Sequence, residues 1–319
     1  MLETLSFVRG AVAKKDFIPA LTHFHIKNGI IQSANGVMTL SSPIDIDLEA
    51  SPRAVDFIRV IKTCKKETSL HLTKAGRLAV KSGRFKAFVP CAETEYPHVQ
   101  PKGVHYTVPE TFLETIKVLA PFMAEDASRP WANGMLFKDR SVFVTNNVLL
   151  VQKWLDIPFP VTANIPKAAI KELIRIKENP QTLQLDESKL TLHFAGGRWL
   201  QTSLNKLEWP DLEAVLNRES NQVTIDNRLQ EIVQEIAPFV DEMGRVYFHD
   251  NTVTTTKEEE EGVLFENENA HHTGCYHFKQ LEHMLTVAKT IDLTCYPKPS
   301  IFYGEKLRGA IIGLRDVTL

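Results

Sequence analysis

The sequence predicts an α+β protein of three repeated units, each with two helices packed on antiparallel sheets. Three observations lead there. A helical phrase recurs as "LETLSFVRGAVA" at 2–13, "LETIKVLAPFMA" at 113–124 and, in shorter form, "EIAPFVDE" at 235–242. A second helical pattern recurs at 51–66, 165–179 and 276–290. A closing motif recurs as Gly83-Arg84-Phe85 and Gly197-Arg198-Trp199, followed at matching distance by Tyr96-Pro97 and Trp209-Pro210. Three ordered markers set the period at about one third of the chain, roughly 106 residues, which is domain-sized and too long for a solenoid repeat. The units are expected at 1–104, 105–217 and 218–319.

Each element has a local reason. The first helices, expected over 2–13, 113–124 and 229–240, carry apolar residues at helical spacing: Leu2, Leu5, Val8 and Val12, then Leu113, Ile116, Leu119 and Met123. Hairpins follow. In "THFHIKNGIIQSANGVMTLSS" the Asn28-Gly29 and Asn35-Gly36 pairs sit where tight turns need a positive φ, and "SVFVTNNVLLVQKW" is two β-rich runs around Asn146-Asn147. The second helices open on Ser51-Pro52 and Pro166 as cap and first-turn signals. Each is followed by a strand-like run: "SLHL", "TLQL" and "IDLTC".

Bulk charge says little about partners. With 37 basic and 39 acidic residues the net charge is −2, so only the distribution of charge can argue for nucleic acid. That distribution is uneven. Arg59, Lys62 and Lys66 share one helix face, with Val55, Ile58, Ile61 and Cys64 expected on another. Lys167, Lys171 and Arg175 form a stripe on the matching helix of the second unit, and Arg9, Lys14 and Lys15 follow the first helix. Such stripes suit phosphate contacts that read no bases; the alternative is a solvated helix face. The third unit differs: its first helix has Arg228 against Asp226, Glu231, Glu235, Asp241 and Glu242. Acidic residues also gather in "DIDLEA" (45–50) and "KEEEEG" (257–262), where Asp45, Asp47 and Glu49 alternate as on a solvated strand.

Four widely spaced cysteines, no apolar run of membrane-spanning length and no secretory leader pattern make a reduced, cytoplasmic setting the expectation. No GxxxxGK[ST], HExxH or GxSxG motif is present, so no enzyme activity and no cofactor are expected. His271, His272 and Cys275 lack a fourth ligand at finger-like spacing, so no metal site is expected and a surface turn explains them better.

The phrases "DASRPWANGMLF" (126–137), "VFVTNNVLLVQKWL" (142–155), "NIPKAAIKELIRI" (164–176) and "LEWPDLEAVL" (207–216) run in order, with "IPALTHFHI" and "GRFKAFVP" in the first unit. Together they resemble the bacterial-type sliding clamps, the beta subunits of DNA polymerase III, along nearly the whole chain. The resemblance implies the DNA-clamp fold, with three domains whose helices face a central hole. It implies a head-to-tail homodimer that encircles duplex DNA without sequence preference and tethers the replicative DNA polymerase. It also implies an ATP-dependent clamp loader, and no catalysis or membrane. The chain is somewhat shorter than typical members, as a phage-encoded version would be.

By matching phrase, the resemblance places DNA contacts at Lys15 and around Asp126, Ser128 and Arg129, beside the cationic stripes. It places a partner-peptide pocket at Ala132, Thr145, Asn147, Val148, Leu149, Leu150, Pro210 and Val215, with Ile312 and Leu314 from the C-terminal strand. The family's Thr-Asp-Gly-His-Arg turn is replaced by "TNNVL" at 145–149, so an imidazole and a guanidinium are absent. The rival function is a clamp-fold interaction protein that binds partners or sequesters clamp-binding peptides without encircling DNA.

Overall fold

The first hairpin turns where the sequence places it: Asn28 and Gly29 both adopt positive φ, 51° and 69°. Glycine takes this region freely and asparagine tolerates it, which fits the twist of the flanking strands. At the second turn the Asn35 side chain accepts hydrogen bonds from the amides of Val37 and Met38, and Gly36 supplies φ 84°.

The structure is a computed structural model describing residues 1–15, 18–93, 98–124, 128–249, 251–256, 261–267 and 272–315. Helix α1 (Leu2–Val8) runs into a 3-10 turn (Arg9–Ala11), followed by strands β1 (His25–Lys27), β2 (Ile30–Ala34) and β3 (Met38–Pro43). Helix α2 (Ala54–Thr63) precedes β4 (Thr68–Leu72), β5 (Leu78–Ser82) and β6 (Phe85–Val89). After β7 (Val104–Thr107), α3 (Phe112–Leu119) again ends in a 3-10 turn, Ala120–Phe122. It leads to β8 (Gly134–Lys138), β9 (Ser141–Thr145), β10 (Leu149–Trp154) and β11 (Ala163–Pro166). Helix α4 (Lys167–Ile176) then precedes β12 (Thr182–Leu185), β13 (Lys189–His193) and β14 (Trp199–Ser203). A short α5 (Glu213–Leu216) and β15 (Val223–Thr224) lead to α6 (Asn227–Ile236) with its own 3-10 turn, Ala237–Phe239. The chain continues through β16 (Arg245–His249), β17 (Thr252–Thr254), β18 (Leu264–Glu266) and β19 (Gly274–His277). It finishes with α7 (Phe278–Leu285), β20 (Ala288–Ile291), β21 (Ser300–Gly304) and β22 (Leu307–Ile311). Helix with 3-10 end, antiparallel strands, helix, antiparallel strands: the order occurs three times.

Several boundaries differ from the sequence expectation. Helix α2 starts after Arg53, because Pro52 is held in a bridge with Cys91, and it ends at Thr63. Its buried face is Ala54, Phe57 and Ile61, while Val55 is 57% exposed. Pro166 is the N-cap of α4, not its first residue. In the third unit the strand is β20, which takes only the first residue of "IDLTC", and Leu293–Cys295 form a 3-10 turn fixed by the Asp292 carboxylate accepting from the Thr294 amide. Residues 44–49 form no strand, yet burial alternates, with Ile44 and Ile46 inside and Asp45, Asp47 and Glu49 exposed.

The chain divides into two compact units: 1–113 with 165–205, and 114–164 with 206–319. The first unit contains a seven-stranded sheet in the order β1-β2-β3-β14-β13-β12-β7 and a three-stranded sheet, β4-β5-β6. Its centre includes the edge-to-face pair Phe24 and Phe57, each fully buried and each worth about 2–3 kcal/mol of hydrophobic stabilisation. His25 lies beside them, 3% exposed, its ring within 3.0 Å of the Ser51 hydroxyl and the Ala20 carbonyl. Burial above all drives its pKa down to about 4, helped by His98 and His23 and opposed by the Ala20 carbonyl.

The second unit contains an eight-stranded sheet, β11-β8-β9-β10-β22-β21-β20-β15, and a four-stranded sheet, β18-β17-β16-β19. Fully buried Tyr276 joins its core, and its hydroxyl hydrogen-bonds the Ser300 hydroxyl at 2.8 Å. Burial raises that phenol to about 12.

Candidate nucleic-acid and peptide interfaces

The expected phosphate contacts divide into surface cations and one structural tie. Arg9, in the turn after α1, is exposed, as are Lys14 and Lys15. Lys62 is exposed on α2, and Arg59 is exposed but lies 3.8 Å from Asp56. Lys66 is exposed but stands beyond the end of α2, where its main chain is held at both ends by the Ser82 hydroxyl. It therefore does not extend the helical stripe. Lys171 is exposed on α4, Lys167 is half-buried at the first position of that helix, and Arg129 is exposed in the second unit.

Arg175 corrects the expected stripe. Its guanidinium donates to the Ser6 carbonyl at 2.9 Å and the Phe7 carbonyl at 2.7 Å, and its Nε donates to both oxygens of Glu172 at 3.0 and 2.9 Å. Glu172 is 5% exposed and occupies the space beside Gly10, where an added Cβ would stand 1.9 Å from its Oε1. The arginine thus caps the carbonyl end of α1, where a cation is favoured, and neutralises a buried carboxylate. All three guanidinium nitrogens are thus engaged within the protein, which sets Arg175 apart from the exposed cations of the expected stripe.

The expected peptide pocket falls within the second unit. Asn146 organises the turn: its Oδ1 accepts from the amides of Val148 (3.1 Å) and Leu149 (2.7 Å), and its Nδ2 donates to Gln280 on α7 at 2.6 Å. Asn147 takes φ 73°, and its amide donates to the Thr145 hydroxyl. From there β10 pairs with β22, setting Leu150 opposite Ala310 and Leu149 opposite Ile311. Alternation puts successive side chains on opposite faces. Leu150 lies on the face with Phe143, Ile301 and Ala310, covered by Leu216 of α5 and fringed by half-buried Trp209, Leu212 and Val215. Leu149 points to the other face and is fully buried, and Ala132 is also fully buried. Those two belong to the core and do not line a surface. Thr145 and Leu150 are buried but share the α5 face. Asn147, Val148, Val215 and Leu314 are half-exposed, and Pro210 and Ile312 are exposed.

Strand β22 ends at Ile311, but pairing continues as the Ile312 amide donates to the Val148 carbonyl. Leu314 is held at both main-chain ends, by the Cys275 carbonyl and the Tyr296 hydroxyl. Residues 316–319, Asp126, His271 and the Tyr96-Pro97 marker lie outside the described residues, as does most of the acidic run at 257–260. Among the described residues, no three His, Cys, Asp or Glu side chains cluster as a metal site would require.

Sequence reasoning missed two features. Trp131 and Trp209 meet edge to face at 5.1 Å beside the pocket, and the Trp209 indole N–H and the Asn147 Oδ1 are buried with no hydrogen-bond partner among the described residues. The "EWPD" phrase carried the first signal: an aromatic before proline, next to a short helix.

Paired helices and antiparallel sheets, used three times, define a class of fold built from one repeated wall segment. Comparison with solved structures identifies it as the fold of the DNA polymerase III beta sliding clamps. A sliding clamp from Pseudomonas aeruginosa bound to griselimycin superposes with TM-score 0.81 at 16% identity, covering 99% of this chain and 97% of that one. The beta chain from Streptococcus pneumoniae gives TM-score 0.83 at 16% identity, and the sliding clamp from Bacillus subtilis 0.80 at 16%, with the same coverages. No family model and no curated relative matches the sequence. The shared property is thus the fold, held at low sequence identity.

Proposed function

We propose that this chain is a DNA sliding clamp: a non-catalytic ring that encircles duplex DNA and tethers a DNA polymerase for processive synthesis. The observation that carries this reading is coverage of 99% of the chain by the clamp fold at TM-scores of 0.80–0.83. Enclosure needs only weak, exchanging phosphate contacts. The exposed Arg9, Lys14, Lys15, Arg59, Lys62, Lys171 and Arg129, with Lys66 and Lys167, are suited to supply them. A tethered polymerase keeps a high effective concentration at the primer end.

Sheet topology supports a head-to-tail homodimer. In each unit one joint pairs the last strands of two smaller sheets antiparallel: β3 with β14, and β10 with β22. Two comparable strands keep a free edge among the described residues, β6 in the three-stranded sheet and β18 in the four-stranded one. Pairing β18 of one copy with β6 of another repeats the joint a third time, and doing so twice closes a ring. The divisions 1–104, 105–217 and 218–319, the ATP-dependent loader and the cytoplasmic location belong to the same proposal. No described helix is long and apolar enough to cross a membrane.

The partner peptide would sit over Leu150, Val215, Pro210 and Val148, with the unpartnered Trp209 N–H and Asn147 oxygen offering it one donor and one acceptor. Retention on nicked circular DNA, in the presence of a loader, tests the function. Retention lost on linearising the DNA is the expected result. Retention unchanged by linearisation, or absent from circles, favours the rival interaction protein.

A further inference from the structure

Resting on the peptide groove proposed above for the second unit, we infer that the first unit carries a counterpart groove that docks an extended acidic segment of a partner protein. The two joints are built alike. In the first unit the Asn35 Oδ1 accepts from the amides of Val37 (3.1 Å) and Met38 (3.0 Å); in the second the Asn146 Oδ1 accepts from those of Val148 and Leu149. Each turn leads into a strand that pairs antiparallel with the last strand of the following repeat, β3 with β14 and β10 with β22. One more main-chain bond then reaches the valine of the turn. The Ser203 amide donates to the Val37 carbonyl, as the Ile312 amide does to that of Val148.

Strand register matches the two joints position by position. Thr39 faces Ala34 across its hairpin and Gln201 across the joint, whereas Leu150 faces Thr145 and Ala310. Gln32 therefore stands where the second unit has Phe143, and Ser203 where it has Ile312. The same backbone carries a polar floor in the first unit and an apolar one in the second. That floor is built in: Gln32, Thr39 and Gln201 are 1%, 9% and 5% exposed. Gln32 also fixes a wall, since its Nε2 donates to the Val99 carbonyl at 2.8 Å and its Oε1 accepts from the Val99 amide at 2.9 Å. An open cavity of about 180 Å³ lies at this place, bounded by Val99, the turn at Val37 and the end of β14.

The lining selects the occupant. Val37 is 43% exposed and Val99 is half-buried, so both offer small apolar contacts. Lys189 is the one charged side chain among the described lining residues; it is exposed and forms no salt bridge with any described residue. It stands opposite Ser203 on β13 and β14, so its side chain shares a face with the Ser203 hydroxyl and Gln201. Hydroxyl and amide donors beside an unneutralised ammonium favour a carboxylate over a Leu or Phe anchor. The cavity is smaller than the roughly 300–1,000 Å³ of a drug-sized site, so it takes one or two side chains of an extended segment. An Asp or Glu flanked by small apolar residues meets these conditions.

Fluorescence anisotropy of the full chain tests this with a labelled octapeptide of alternating Asp and Val. An Asn-Val octapeptide is the uncharged control, and a Leu- and Phe-bearing peptide probes the second unit. The Asp-Val peptide is expected to bind saturably below about 1 mM, and the control at least about fivefold more weakly. K189E and V37E should each weaken the Asp-Val peptide about five- to tenfold and leave the Leu- and Phe-bearing peptide unaffected, while V148E does the reverse. Both substituted side chains are exposed, and thermal melts check that each variant folds. Absence of saturable binding, indifference to K189E and V37E, or displacement by the Leu- and Phe-bearing peptide overturns the counterpart groove and leaves the second-unit pocket intact. A Leu- and Phe-bearing peptide indifferent to V148E overturns that pocket instead.

Discussion

The guanidinium of Arg175 donates to the main-chain carbonyl of Ser6 at 2.9 Å, so the end of α1 is fixed by a residue on α4. Replacing Arg175 by alanine leaves the buried Glu172 carboxylate without its cation and two carbonyls without donors. A loss of about 2–4 kcal/mol in unfolding free energy is expected by denaturant titration. Lysine should not rescue it, because one ammonium cannot reproduce the fork. G10A attacks the same joint through its Cβ and should cost about 1–3 kcal/mol.

His25 makes stability depend on acid. The folded protein holds it neutral down to about pH 4, whereas the unfolded chain takes up the proton near 6.5. Its contribution is therefore complete above pH 6.5 and is lost as pH falls toward 4, by about 3 kcal/mol at the acid end. Burial lowers His98 and His193 as well, so their effect has the same sign. Denaturant titrations across this window should show a steep slope that H25Q flattens without abolishing.

The exposed cations should govern DNA retention. Charge reversal of Lys62 and Lys171 is expected to shorten the lifetime on circular DNA. For every phosphate that is no longer neutralised, the log–log salt slope should fall by about 0.9. Retention with an unchanged slope would remove these helices from the DNA path.

Val148 occupies a half-exposed place at the turn beside Leu150. V148E sets a charge where an apolar peptide anchor is proposed to rest. It should weaken capture of a Leu- and Phe-bearing peptide by about tenfold or more in fluorescence anisotropy, with little change in melting temperature. W209F removes the unpartnered N–H together with part of the ring that packs on Trp131, so a smaller loss of peptide binding is expected alongside a measurable fall in melting temperature.

Much of the architecture was legible because its causes are local. The Asn-Gly turns, the apolar spacing of Leu113, Ile116 and Leu119, and the β-rich runs around Asn146 each act within a few residues. The three 3-10 helix ends follow from the same repetition. What sequence could not give depends on distant partners. Arg175 looks like the next step of a stripe from Lys167 and Lys171 until the Ser6 and Phe7 carbonyls are placed beside it. Lys66 keeps helical spacing with Lys62, yet Ser82 draws its backbone out of the helix. Leu149 and Leu150 are adjacent and chemically alike, and only strand register assigns one to the core and one to the α5 face.

The joint between Leu40 and Leu200 has a consequence for how the chain is made. During synthesis β3 emerges long before β14, so the first meander waits beside the ribosome with an open flank. High contact order of this kind slows folding and prolongs exposure to misassociation. Recombinant yield should therefore respond more to chaperone supply and growth temperature than the stability of the finished protein would suggest.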